Sequence, residues 1–278
     1  MDNKQYLVTG KGKLGSLLIG RPNFHFLDCD ITDIESIDHA QYELMDSMNI
    51  NFIDVVVNLA AISSVDECER DYDKAIKVNT HGLANLHKVF GERVLNISSD
   101  QVFSGNSLIL PNEKTKPSPI NNYGYTKLGA ETVSQAFGGK TLRLSRTVSI
   151  EDNDIHSPIM KLSNELEAGV PTFFARNYMC RDFAVDAIEY MVRNWDDMPQ
   201  IVNYGGLDHV TMFGFMKMLV MELGLDHTLL QKNNQYNKSM TPRPRNGGFK
   251  VGLAKELGFP MYNLSDTVER LKRDFNDG

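Results

Sequence analysis

The 278-residue sequence predicts an α/β fold, a doubly wound parallel sheet with a smaller C-terminal cap. Two observations carry that expectation. Short apolar runs alternate with helix-like segments through the first half of the chain, which implies right-handed βαβ crossovers and a parallel sheet. The first of these runs leads directly into Gly10-Lys-Gly-Lys-Leu-Gly15, a G-x-G-x-x-G loop between a strand and the segment after it.

Residues 6–9 form the first strand candidate, and the glycine loop is expected to open a helix. Residues 24–27 are the second strand, ending in the acidic cluster Asp28-Cys-Asp30. So little chain separates Gly15 from Asp28 that the first helix is held to about two turns. Ile31-Thr-Asp-Ile-Glu35 reads as the start of another helix. Residues 53–58 are the third strand, followed by the small residues Ala60 and Ala61. From 73 to 90, apolar Ala75, Ile76, Val78, Leu83, Leu86, Val89 and Phe90 fall near one helix face. Residues 94–97 form a strand, 123–137 a helix and 140–144 a strand. Beyond Ser145 the rhythm loosens. Residues 183–193 read as helix, 201–204 as a short strand, 212–223 as a Met- and Leu-rich helix, 241–248 as a loop and 267–275 as a closing helix. The soft division is a Rossmann domain over 1–147 and a cap over 148–278, with segments that interleave.

Composition narrows the function classes. With 41% apolar and 23% charged residues the chain is globular and not disordered. Its apolar runs are far shorter than the roughly 20 residues a membrane helix needs. The N-terminus enters a strand-like run with no basic stretch and long apolar segment, so a cytoplasmic protein is expected. A net charge of −7 argues against nucleic acid. The densest basic stretch, Arg243-Pro-Arg245 with Lys250, suits one or two phosphates, or simply braces a surface loop. Cys29, Cys68 and Cys180 have no CxxC spacing and read as free thiols. The histidines have no HxxxH or HExxH spacing, so no metal site is expected.

Two motifs carry chemistry. In the loop, Gly10, Gly12 and Gly15 permit a tight turn and close approach to a pyrophosphate, while Lys11 and Lys13 add positive charge around Leu14. A glycine loop with no ligand is the plain alternative. Asp28, at the end of the second strand, is a candidate for an adenosine ribose, and Asp30-Ile31 for the adenine; a turn or cap role is the alternative for these acids. Tyr123-Gly-Tyr-Thr-Lys127 sets a phenol and an ammonium one helical turn apart on one face. The ammonium is expected to draw the phenol's pKa towards neutrality, where it trades protons. Upstream, Ser98 and Ser99 close a strand at the sheet edge where active groups gather in open α/β folds.

Taken in order, Gly10 to Gly15, Asn58-Leu-Ala-Ala61, Val78-Asn-Thr-His-Gly82, Ile97-Ser-Ser-Asp-Gln-Val-Phe103 and Tyr123 to Lys127 resemble the extended short-chain dehydrogenase/reductases. The wording is most similar to the dTDP-4-dehydrorhamnose reductase family. Its LDITD stretch answers to Leu27-Asp-Cys-Asp-Ile-Thr-Asp33, its STDYVF to residues 98–103, its PNPLNxYGxxKLxGE to residues 117–131 and its PRP loop to residues 242–244. The resemblance implies a reductase of a nucleotide-activated 4-keto-6-deoxy sugar that uses NADPH or NADH. Ser99 would orient the carbonyl, Tyr123 would be the general acid, Lys127 would tune the tyrosine and hold the nicotinamide ribose, and Asn79 would support a proton relay. Leu59, Ala60, Ala61 and Ser98 would border the cofactor; Asp100, Gln101, Arg243 and Arg245 would face the substrate. A homodimer stays open. Three departures stand out. The glycine loop is one residue tighter than usual. The shortened stretch before Asp28 clouds the choice of cofactor, with Lys11 leaning to NADPH. Arg146-Thr-Val-Ser149 lacks the family's tryptophan, and Gln101 replaces its tyrosine. The same scaffold serves nucleotide-sugar epimerases and dehydratases and a non-catalytic regulatory subunit of methionine adenosyltransferase, which remain alternatives.

Overall fold

The computed structural model describes residues 4–235 and 241–277. The first half runs β1 (Tyr6–Thr9), β2 (Phe24–Leu27), α1 (Ile34–Met48), β3 (Val55–Asn58), α2 (Val65–Arg70), α3 (Tyr72–Ile76), α4 (Leu83–Phe90), β4 (Val94–Ser99), α5 (Asn122–Ala136) and β5 (Lys140–Leu144). The second half runs β6 (Thr147–Val148), α6 (Asn153–Ser163), β7 (Ala168–Pro171), β8 (Ala175–Arg176), β9 (Met179–Cys180), α7 (Arg181–Arg193), β10 (Ile201–Tyr204), β11 (Val210–Thr211), α8 (Met212–Glu222), β12 (Leu230–Asn233), α9 (Gly252–Glu256) and α10 (Leu264–Asp277).

Six parallel strands form the main sheet in the order β10-β5-β4-β3-β1-β2. Strand alternation sends Leu7, Leu27, Val56 and Val94 to one face, against Ile37 of α1, Leu83 and Leu86 of α4 and Ala130 of α5. It sends Tyr6, Val8, Val55, Val57, Leu95 and Ile97 to the other, against Ala184, Val185, Ile188 and Met191 of α7. The sheet is therefore doubly wound, and its winding reverses between β1 and β3. The edge strand β10 and the helix α7, which covers one face of the sheet, both come from beyond residue 147. The cap has a core of its own, where Ile155 and Ile159 of α6, Phe215, Met216 and Leu219 of α8 and Leu271 of α10 meet. Met212 and Met216 of the Met-rich helix lie in that core, whereas Met218 and Met221 are exposed.

The chain departs from its sequence pattern in two places near the site. The glycine loop does not open a two-turn helix: only a single 3-10 turn, Gly15–Leu18, follows it. The return to β2 is too short for more, and Gly20 (φ 80°) and Asn23 (φ 69°) adopt left-handed backbone to reverse the chain at once. Residues 73–90 do not form one α-helix either, because Lys77–Gly82 is a π-helical turn between α3 and α4. Asn79 there donates to the Ile62 carbonyl (3.0 Å) and to Thr126 Oγ1 (2.9 Å) and accepts from Ile62 N–H (2.8 Å), and a Cβ on Gly82 would lie 2.6 Å from Ile31 Cδ1. The wider turn admits these tertiary contacts, a common use of a π-bulge. Neither α6 nor the full length of α1 is signalled in the sequence beyond the capping Asp33, which accepts from Glu35 N–H.

Candidate active site

The C-terminal edge of the sheet carries the site. Ser99 closes β4 and accepts from Gln101 N–H (3.3 Å), starting the 3-10 turn Asp100–Val102. Asn121 caps α5 by accepting from Gly124 N–H (2.8 Å), which puts Tyr123 in the first turn and Lys127 one turn on. A Cβ on Gly124 would fall 2.3 Å from the Gln101 carbonyl, so glycine is what lets α5 approach β4 this closely. Ser99 stands close enough to the Tyr123 hydroxyl to act on its acidity, while its own hydroxyl donates to Asp100 Oδ1 (3.3 Å). Lys127 is buried, donates to the Ile97 carbonyl (2.9 Å), and lies 5.8 Å from the centre of the Tyr123 ring.

This geometry changes the expected electrostatics. Burial pushes the Tyr123 hydroxyl well above its ordinary value, and the Ser99 contact only partly opposes it. Lys127 is itself lowered to about 8 by burial. The ammonium lies over the ring and donates to the Ile97 carbonyl, and burial outweighs any pull it exerts on the phenol, so the tyrosine is not drawn towards neutrality in this arrangement. Tyr123 is instead a fully protonated acid whose anion, once formed, would have a cation within reach.

The neighbours are placed as follows. Asn79 clamps Ile62 after β3 to Thr126 of α5. Asp100 is buried and spends its Oδ2 on Arg176 Nε (2.9 Å) and Gly248 N–H (2.9 Å), while Oδ1 accepts from Ser99 (3.3 Å). Gln101 Oε1 accepts from Asn121 Nδ2 (3.0 Å), which also donates to the Pro242 carbonyl (2.8 Å) and so ties the Pro-rich loop to the start of α5. Arg243 of that loop pairs with Asp66 of α2 (2.9 Å), and the Arg245 carbonyl accepts from Ala175 N–H. Ser98 points to the opposite face of β4. It donates to Glu131 (2.5 Å), which Arg143 holds through two bonds of 2.8 and 2.7 Å in a fully buried pair.

Across the sheet, at the reversal of winding, Gly10 (φ 84°) brings the glycine loop onto the loop after β3, and a Cβ on it would lie 2.5 Å from Ala60 N. Leu59 N–H donates to the Thr9 carbonyl, and Ala61 follows in the same loop. Gly15 packs on the Gly10 carbonyl, whereas a Cβ on Gly12 would meet nothing within 4 Å. Leu14 packs on the core of the α7 face. Lys11 pairs with Asp28 (3.2 Å) on the surface, and Lys13 reaches Asp152 (2.8 Å). Asp30 accepts from Thr32 N–H (2.9 Å) in a local turn, and Ile31 is core beneath Gly82. A tight Gly10 turn, an open Gly12 and flanking lysines suit a dinucleotide diphosphate, and the acid pair Tyr123–Ser99 with Lys127 suits a nicotinamide next to a carbonyl.

Of three further contributors, one carries a signal in the sequence and two do not. Asn121 was legible, being a capping residue just before the Tyr–Lys pair. Arg176 and Asp152 were not, because their partners stand far away in the chain and only the fold brings them together.

Known proteins resemble this chain in sequence and in fold. The model of the RmlD substrate binding domain matches residues 4–264. The chain is 34% identical, over 96% of its length and 91% of the relative's, to the probable low-salt glycan biosynthesis reductase Agl14 of Haloferax volcanii. It is 27% identical to the spore coat polysaccharide biosynthesis protein SpsK of Bacillus subtilis, over 69% of each chain. The crystal structure of dTDP-4-dehydrorhamnose reductase from Bacillus anthracis in complex with NADP superposes with a TM-score of 0.82, covering 98% of this chain and 99% of that one at 20% identity, a likeness of fold. The chain belongs to the RmlD substrate binding domain family, and it is an NAD(P)-dependent oxidoreductase of the short-chain dehydrogenase/reductase type.

Proposed function

We propose that this protein reduces the 4-keto group of a nucleotide-activated 6-deoxyhexose, with NADPH favoured over NADH. The observation that carries the reading is the meeting of Ser99, at the end of β4, with Tyr123, in the first turn of α5, and the buried Lys127 5.8 Å from the tyrosine ring. A bound reduced nicotinamide would supply a hydride to the ketone carbon and leave oxidised. Tyr123 gives its hydroxyl proton to the ketone oxygen, completing the alcohol. Lys127 offsets the tyrosinate charge that remains. Ser99 turns its proton from Asp100 to the same oxygen and fixes the carbonyl's direction. Gly10, Gly12, Gly15, Lys11 and Lys13 take the diphosphate, and Asp28 with Lys11 borders the adenosine ribose. Lys11 supports NADPH, since a 2′-phosphate would compete with the exposed Asp28 for its ammonium. Arg243 and Arg245 stand in the loop proposed to receive the sugar nucleotide's phosphates. The free thiols Cys29, Cys68 and Cys180 support a cytoplasmic location; among the described residues no helix is long and apolar enough to cross a membrane.

The test is a cofactor-oxidation screen across dTDP-, GDP- and UDP-linked 4-keto-6-deoxy sugars. Oxidation with one of them, stopped by Tyr123→Phe, is the expected result. Protein that carries stoichiometric NAD and oxidises no added cofactor would point to an epimerase or dehydratase. Inactivity on every sugar together with a stoichiometric synthetase partner would point to a regulatory subunit.

A further inference from the structure

In a dinucleotide fold the phosphates normally rest on the N-terminus of the helix that follows the glycine loop, where free N–H groups and the helix dipole supply positive potential. Here that helix is one 3-10 turn of four residues, too short to supply much of either. The missing potential is matched by a cluster of side chains next to the same loop. Asp152, at the start of α6 in the cap, is buried with 6% of its side chain exposed. Three cations converge on it. Lys13 from the glycine loop donates at 2.8 Å, Arg181 from the start of α7 donates through Nη2, and Arg146 just after β5 stands at 3.8 Å. Ser149 N–H adds a further bond of 3.1 Å. Arg146 is also held by Asp154, at 2.9 Å to both oxygens.

Three cations against two carboxylates leave the cluster net positive. Burial alone would raise the Asp152 carboxyl; the surrounding cations overcome that and hold it below its ordinary value. Lys13 differs from its companions in being free to move, with 70% of its side chain exposed against 13% for Arg181.

We propose that Lys13 supplies the phosphate charge the shortened helix lacks, with Asp152, held by Arg146 and Arg181, as its built-in counter-ion, and that the cofactor's diphosphate draws Lys13 away from Asp152. The proposal rests on the reading that the glycine loop binds a nicotinamide dinucleotide. Arg181 and Arg146 keep Asp152 neutralised when Lys13 leaves, so the exchange strands no buried charge. Asp152 therefore sets cofactor affinity by competition: it and the diphosphate share one ammonium.

NADPH binding to the full chain, read by cofactor fluorescence at several salt concentrations, tests this without any sugar substrate. Lys13→Met should weaken binding about tenfold and flatten its salt dependence. Asp152→Asn should tighten binding severalfold, and the double variant should bind as Lys13→Met does. Binding by Lys13→Met at wild-type strength, or weaker binding by a folded Asp152→Asn, overturns the proposal. If Asp152→Asn does not fold, the Lys13→Met affinity and salt slope decide alone. Wild-type protein that binds neither NADPH nor NADH overturns the dinucleotide reading, and this proposal with it. Wild type that binds with an unchanged Lys13→Met overturns this proposal only.

Discussion

At the β4–α5 corner, Ser99, Tyr123 and Lys127 stand on buried bonds. Lys127 is fixed to the Ile97 carbonyl, Asp100 to Arg176, and beneath them Glu131 is gripped by Arg143 at two points. At the β1 corner, the groups meant for phosphate are lysines on the surface, paired with Asp28 and Asp152 over a single 3-10 turn. One corner holds its groups in place by desolvation and buried hydrogen bonds. The other holds them by ion pairs that water and salt can loosen. The contrast fits the tasks. Proton transfer needs atoms fixed to fractions of an ångström, whereas a diphosphate needs charge nearby and room to arrive.

Breaking the buried corner should have the largest effect. Tyr123→Phe should lower kcat by about 10²–10⁴-fold while leaving cofactor affinity nearly unchanged, measured by steady-state turnover and fluorescence titration. Next comes the support beneath it. Arg143→Met leaves Glu131 in the core without its cation, held only by the Ser98 hydroxyl, and should cost about 3–5 kcal/mol in denaturant unfolding. Loss well below that would mean the pair adds little rigidity to the corner.

A pH series sharpens the comparison further. The unfolded chain keeps the lysine proton up to about 10.5, whereas folded Lys127 releases it at about 8. Between these values the unfolded state binds more protons, so this group makes the protein more stable as pH rises from about 8 to 10.5. Lys127→Met should therefore be more stable than wild type at neutral pH, with a gap that closes as the buffer is made alkaline. A constant gap in thermal melts across that range would refute it. The smallest effect belongs to the exposed corner: Lys11→Ala, which removes the surface pair with Asp28, should change stability by less than about 1 kcal/mol. A larger loss would show the glycine loop to be as tightly built as α5.

The same contrast governs what could be read in the sequence. Strands at 6–9, 24–27, 140–144 and 201–204 were legible to the residue because each is a short run rich in strand-forming apolar residues between stretches with turn formers. The Tyr123–Lys127 pair was legible because a helix fixes its spacing. The π turn at Asn79 was not, since it answers to Ile62 and Thr126, partners that only the folded chain brings near. The glycine motif announced a helix that the short return to β2 cannot hold. Ser98 looked equivalent to Ser99, yet strand alternation turns it to Glu131 on the opposite face. The lowered tyrosine pKa expected from the i, i+4 spacing failed for a related reason: the spacing says nothing about burial, and burial dominates here.

The sixth strand carries a consequence for how the protein is made. β5 leaves the first half of the chain with one edge unpaired, and β10 covers that edge only after some sixty further residues have been synthesised. Until then β5 lacks its outer neighbour, and the apolar face that α7 will cover is bare. A ribosome stalled, or a gene cut, shortly after β5 would thus release five of the six strands with a bare apolar face and not a small cofactor-binding module. The cap segment doubles as the part that makes the nascent body safe to release.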